Sequence, residues 1–168
     1  MKKNVLIIGG SKGIGLETVN LLEDSQNLFV TSRSKDNLEG KDITHYTFDV
    51  LKDDISDLDL PDRIDGLVFC PGSINLKPFK MLKPSAFEGD INLNFMSLVK
   101  VTHQLLDKLK ASQQASVVYF STVAVQTGMP FHTSVAAAKG AIEGFARSLA
   151  AEYAPNFRVN VIAPSLTD

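Results

Sequence analysis

Val5-Leu6-Ile7-Ile8-Gly9-Gly10-Ser11-Lys12-Gly13-Ile14-Gly15 is the stretch that decides how this chain folds. Four apolar residues with no polar alternation read as a strand buried on both faces. The glycines that follow let the backbone turn sharply. A helix is expected over Gly13–Asp24, with Leu16, Val19, Leu22 and Leu21 on its apolar side.

The same alternation continues outward. Leu28–Thr31, Thr44–Phe48 and Leu67–Cys70 read as further strands, the last broken by Pro71-Gly72. Asn92–Lys110 carries a helical stripe of Phe95, Leu98, Val99, Thr102, Leu106 and Leu109. Ser116–Phe120 is a strand, Ser134–Tyr153 an alanine-rich helix and Arg158–Ile162 a last strand. About six strand–helix alternations, with strands lacking polar alternation, indicate an α/β fold with a parallel sheet. The expected architecture is a Rossmann-type doubly wound sheet, strand order 3-2-1-4-5-6, in a three-layer αβα sandwich. Residues 1–168 read as one domain, with no repeat or linker to divide them.

Composition excludes several classes. Seventeen Lys and Arg against nineteen Asp and Glu leave a net charge of −2, which argues against a nucleic-acid binder with a broad basic face. No run approaches the roughly 20 apolar residues of a membrane span. Met1–Ile8 is too short for a signal-peptide core. Cys70 is the single cysteine, so no internal disulfide or cysteine-rich zinc site is possible. His45 and His103 have no partners at metal spacing, and no metal site is expected. A cytoplasmic protein is the expectation.

Glycines between a first strand and a first helix let the backbone approach a pyrophosphate, whose charge meets the helix N–H groups. The spacing G-x-x-x-G-x-G acquires weight from that strand–turn–helix setting. The second strand ends Phe29-Val30-Thr31-Ser32-Arg33. An acid there would accept from a ribose 2′-hydroxyl; Arg33, with Lys12 in the glycine turn, instead offers cations to a 2′-phosphate. NADP is favoured over NAD.

With these residues the sequence resembles the short-chain dehydrogenase/reductase family over nearly its whole length. The family's T-G-x-x-x-G-x-G falls on Ile8 to Gly15, which implies cofactor contacts at Gly9, Ser11, Lys12, Gly13, Ile14 and Gly15. Its adenine-binding acid falls on Asp49, beside Val50, and its N-N-A-G segment on Phe69-Cys70-Pro71-Gly72, where the glycine survives. Its helix asparagine is matched to Asn92, which would position a water behind the catalytic lysine and equally suits a helix N-cap. Its Y-x-x-x-K lysine falls on Lys139, and its serine on Thr122 with Ser121 beside it. The proline of its proline-glycine after the sixth strand falls on Pro164.

The motif tyrosine is Val135. In the family that phenol protonates the substrate oxygen as hydride arrives; the lysine one turn along lowers its pKa and holds the nicotinamide ribose. Losing a general acid costs about 10²–10⁴ in rate. Tyr46, Tyr119 and Tyr153 lie elsewhere in the sequence. Thr122 and His132 are the candidate substitutes. Two functions are therefore carried. One is an NADP(H)-linked oxidoreductase acting on a carbonyl or alcohol with an altered proton donor. The other is a non-catalytic NADP(H)-binding sensor or partner-binding protein. The resemblance also implies a homo-oligomer paired through the helices at Asn92–Lys110 and Ser134–Tyr153, and a substrate lid and seventh strand beyond Asp168. By that reading the domain is C-terminally incomplete.

Overall fold

Every neighbouring pair of strands is parallel in a six-stranded sheet of order β3-β2-β1-β4-β5-β6. The computed structural model of the chain describes residues 2–165. Its strands are β1 (Asn4–Ile8), β2 (Asn27–Ser32), β3 (Thr44–Thr47), β4 (Gly66–Phe69), β5 (Ala115–Phe120) and β6 (Phe157–Ile162). β1 is central: Val5–Ile8 pair with Leu28–Thr31 on one side and Gly66–Phe69 on the other. With partners on both sides and helix or loop on both faces, Leu6, Ile7 and Ile8 lose all exposure. That is why the strand reads as an unbroken apolar run.

The helices are α1 (Gly13–Leu22), α2 (Pro84–Ile91), α3 (Ser97–Gln104), α4 (Leu106–Lys110), α5 (Ala124–Thr127) and α6 (Thr133–Tyr153). Two cores result. Val19 of α1 joins Val5, Ile7, Leu28 and Val30 on one face of the sheet. Leu98, Val101, Leu105, Leu109, Ile142 and Ala146 join Leu6, Ile8, Leu67, Phe69, Val117 and Tyr119 on the other. Leu16 and Leu22 flank the first core as expected, but Leu21 is 81% exposed and lies off the buried face.

Strand and helix do not alternate throughout. The β2–β3 connection, residues 33–43, has no helix, and the β3–β4 connection has one 3₁₀ turn, Ile55–Asp57. Leu38, fully buried, takes a helix's place against the first core, a burial worth about 1.5–3 kcal/mol. On β5 and β6 the residues facing away from the larger core are half-exposed (Ser116, Val118) or exposed (Arg158, Asn160).

The stripe expected from Asn92 begins earlier and is not one helix. Pro84 at the first turn of α2 starts it, where a missing N–H costs nothing. Between α2 and α3, Asn92–Met96 form a π turn, in which Ser97 N–H reaches back five residues to the Asn92 carbonyl. The cause is local: Asn94 Nδ2 donates to the Asp90 carbonyl at 3.0 Å and Ser97 Oγ to the Leu93 carbonyl at 2.6 Å. Side chains thus occupy carbonyls that an α-helix would pair with backbone N–H groups.

Candidate active site

At the carboxyl ends of β1, β2 and β4 the strand order reverses, and there the chain turns away from the sheet to leave a crevice. A cleft of about 320 Å³ lies in it, lined among others by Gly9, Ser11, Lys12, Arg33, Asp49 and Gly72. Gly9 and Gly13 have φ of +80° and +51°, in the left-handed region. Gly15 is needed for a different reason: a Cβ there would stand 2.3 Å from the Gly9 carbonyl oxygen. The helix thus starts in contact with the turn. Gly9 and Gly10 N–H groups are held by the Thr31 carbonyl at 2.8 and 3.1 Å, which ties the turn to β2.

Lys12 and Arg33 are exposed at this cleft, and neither makes an ion pair among the described residues. Thr31 Oγ1, in the cleft wall, is buried with no hydrogen-bond partner. Ser32 has no proton left for a ligand: its hydroxyl donates to the Ser34 carbonyl and accepts from His45 Nε2 at 2.8 Å. Burial, then Lys35, lowers the His45 pKa. Asp49 Oδ1 accepts from Leu51 N–H at 3.0 Å, and its other oxygen lies 3.8 Å from Lys52.

A second cleft, about 380 Å³, adjoins the first: Cys70 and Gly72 line both. Its wall includes Thr122, His132, Val135, Lys139 and Pro164, together with Ile14 from the head of α1. β5 delivers Ser121 and Thr122 at its end, and α6 delivers Val135 and Lys139 one turn apart on one face. Ser121 Oγ is committed to Glu143 at 2.6 Å. Thr122 Oγ1 accepts from Ala124 N–H at 3.3 Å, which leaves its O–H free to donate into the cleft. His132 Nδ1–H donates to the Pro130 carbonyl at 2.7 Å, leaving Nε2 free. Val135 is 3% exposed.

Lys139 Nζ donates to the Phe120 carbonyl at 2.9 Å. Burial disfavours its charge and brings its pKa down to about 8; the neighbouring Cys70 acts weakly the other way. Burial pushes the Cys70 thiol up to about 12, so it stays protonated. A Cβ on Gly72 would stand 2.9 Å from Asn94 Oδ1 and 3.3 Å from Lys139 Nζ. Gly72 therefore lets an amide and an ammonium converge at the junction of the two clefts.

The asparagine there is Asn94, not Asn92. Asn92 is exposed and lines neither cleft, whereas Asn94 is fully buried and accepts from Ser73 N–H at 3.3 Å. The signal was in the sequence: Asn94 precedes Leu98 by four and Val101 by seven, so it shares their buried stripe. Two more expected contacts lie outside the clefts: Gly13 is exposed and Gly15 is buried in the turn. Their roles are backbone ones. Val50 lines the first cleft as expected. None of Tyr46, Tyr119 and Tyr153 lines either cleft; Tyr119 is buried with its hydroxyl 2.7 Å from Thr102 Oγ1.

A glycine turn at the switch point of a doubly wound parallel sheet, with a cation pair at its rim, defines a dinucleotide-binding type of domain. A family model described as short chain dehydrogenase matches residues 3–168, and the chain belongs to that family. It is 27% identical over 183 residues to a 3-oxoacyl-(acyl-carrier-protein) reductase of Chlamydia pneumoniae, covering 99% of this chain and 74% of the relative. It is 32% identical over 137 residues to an acetoacetyl-CoA reductase of Allochromatium vinosum, covering 77% of this chain and 56% of the relative. Among solved structures, ElxO with NADP bound superposes with a TM-score of 0.86 at 24% identity, over 99% of this chain and 74% of that one. Among the described residues, no helix is long and apolar enough to cross a membrane.

Proposed function

We propose that this chain is an NADP(H)-linked oxidoreductase that interconverts a carbonyl and its alcohol, with a proton donor other than tyrosine. The observation that carries this reading is the continuity of the two clefts at Cys70 and Gly72, one rimmed by Lys12 and Arg33, the other holding Thr122 and Lys139. The residues fit a dinucleotide phosphate. The glycine turn admits a pyrophosphate, Lys12 and Arg33 meet a 2′-phosphate, Asp49 accepts from the adenine amino group, and Thr31 Oγ1 lacks only a partner. When bound, the reduced nicotinamide supplies hydride chemistry. The chain's own residues orient the substrate: Thr122 donates to its oxygen, the Phe120 carbonyl holds Lys139, and Gly72 leaves room for its ammonium at the junction.

Relatives named as reductases support the reading, as does a fold neighbour that binds NADP. The substrate is a small molecule. A homo-oligomer in the cytoplasm completes the proposal; small exposed residues on α6, Ala137, Gly144 and Ala151, suit close helix packing between copies. Val135 favours a second reading, a nucleotide-binding protein without turnover.

Titration with NADPH and NADH, followed by fluorescence, tests the cofactor. Arg33→Asp is expected to weaken NADPH binding by about tenfold or more, the loss of a charge-assisted pair. A panel of ketones and aldehydes then separates the readings. Reduction by the parent supports the oxidoreductase; turnover by Val135→Tyr alone supports the binder; binding of neither nucleotide refutes both.

A further inference from the structure

We infer that Lys139 is itself the general acid of this site, delivering its ammonium proton directly to the substrate oxygen. The inference rests on the oxidoreductase reading and names the donor that reading leaves open.

Geometry carries it. With valine at 135, the wall of the second cleft holds the hydroxyls of Thr122, Ser73, Ser121 and Ser165, with His132, Cys70 and Lys139, as groups with transferable protons. An aliphatic hydroxyl is far too weak an acid, and the Cys70 thiol is held near 12 by burial. His132 lies on the partly exposed loop before α6, tied to Pro130, and like Lys139 it lines the second cleft alone; it is not among the atoms that crowd Gly72. Lys139 packs instead against Gly72, which lines both clefts, so its nitrogen stands where the two meet. Of its three N–H bonds, the Phe120 carbonyl takes one, leaving the others for a ligand.

The polar and titratable groups around it are few. Cys70 comes from the end of β4, Asn94 from the π turn and Ser121 and Thr122 from the end of β5. His132 heads the same helix. Glu143, one turn further on, accepts from Ser121 and lies 3.7 Å from Arg147. Asp90, buried on α2, accepts from Ser73 and Asn75. Burial is the main influence on the Lys139 amine, and it leaves the amine near the operating pH of a useful acid.

The step balances. As the carbonyl carbon accepts hydride and the C=O π pair moves to oxygen, one Lys139 N–H bond breaks and an O–H bond forms. The products are the alcohol and a neutral amine, which regains a proton from water through the open cleft. A bound NADPH would supply the hydride, and its oxidised form would hold the positive charge that the amine gives up.

Two arms test this. In the free protein, the Lys139 side-chain carbon resonance, assigned by its loss in Lys139→Arg, is expected to titrate near 8. In the loaded protein, carbonyl reduction is expected to fall tenfold per pH unit above that midpoint. Lys139→Arg keeps a cation but cannot release a proton at these pH values. It is expected to bind NADPH within about fivefold of the parent while losing about 10²-fold or more in kcat, the scale of a lost general acid. His132→Asn should leave the alkaline limb in place.

Persistence of the limb in Lys139→Arg, its loss in His132→Asn, or a Lys139 midpoint above 10 overturns the inference and leaves the oxidoreductase reading standing. NADPH binding with no reduction across the panel overturns the inference in favour of a binder. Failure to bind NADPH removes the reading on which it rests.

Discussion

Gly15→Ala and Gly144→Ala are the same chemical change at two helical glycines, and the structure assigns them opposite signs. A Cβ at Gly15 would stand 2.3 Å from the Gly9 carbonyl oxygen, 3.1 Å from the Gly9 carbonyl carbon and 3.2 Å from Gly10 Cα. All three are backbone atoms, so no side chain can swing aside. The helix start and the glycine turn would have to separate by roughly 1 Å, and overpacking of this kind costs about 1–3 kcal/mol. Alanine's better helix propensity returns about 1 kcal/mol, for a net loss of about 0–2 kcal/mol. At Gly144, exposed on α6, a Cβ meets nothing within 4 Å. Only the propensity term remains there, a gain of about 0.4–1 kcal/mol. Function should divide more sharply than stability, because Gly15 sets the turn and Gly144 is remote from it. NADPH affinity is expected to fall about tenfold or more in Gly15→Ala, equivalent to about 1.4 kcal/mol, and to stay unchanged in Gly144→Ala. Urea denaturation and NADPH fluorescence titration measure both. A Gly15→Ala protein with parental affinity would refute the claim that the turn and the helix start are in contact for the sake of the ligand.

Asn94→Ala strands the buried Asp90 carbonyl and unpairs the half-buried Ser73 N–H; it should cost about 1–3 kcal/mol by urea denaturation, and Asn92→Ala less than about 0.5 kcal/mol. Equal losses would contradict the assignment. Lys139 also predicts a pH dependence. Its folded pKa is lowered to about 8 from 10.5, so between those values the unfolded chain holds a proton that the folded chain has shed, and this group's contribution to stability rises with pH. Cys70, raised from 9.0 to about 12, works the other way above pH 9. Lys139→Met should therefore be more stable than the parent at pH 7 by about 1–3 kcal/mol, with the gap closing by about pH 10.5. A variant less stable than the parent at pH 7 would count against a burial penalty at this lysine.

Sequence periodicity and composition were sufficient for the sheet. An apolar run without alternation is what a strand must be when neighbours and packing cover both faces, and Val5–Ile8 meets that condition at the centre of the fold. The glycine turn was legible for a related reason: the positive φ at Gly9 and Gly13 and the contact of Gly15 with Gly9 are set by backbone sterics within seven residues. Thr122, Val135 and Lys139 were legible by spacing, because α6 converts a separation of four into one shared face.

The connections were less legible. Leu38 replaces a helix with one buried side chain, and no periodic pattern marks a loop that does so. The π turn at Asn92–Met96 was missed because it depends on side chains taking carbonyls, a competition that only the packed helix displays.

Counting along the chain thus placed the glycines, the cations and the lysine, and showed that the tyrosine is missing. Tertiary structure alone decided that Ser121 is spent on Glu143 while Thr122 is free, and that two clefts share a wall. It also set the state of Lys139. A lysine is written the same way in any sequence, but its proton affinity follows from the water removed around it, and that depends on residues brought together from four distant segments of the chain.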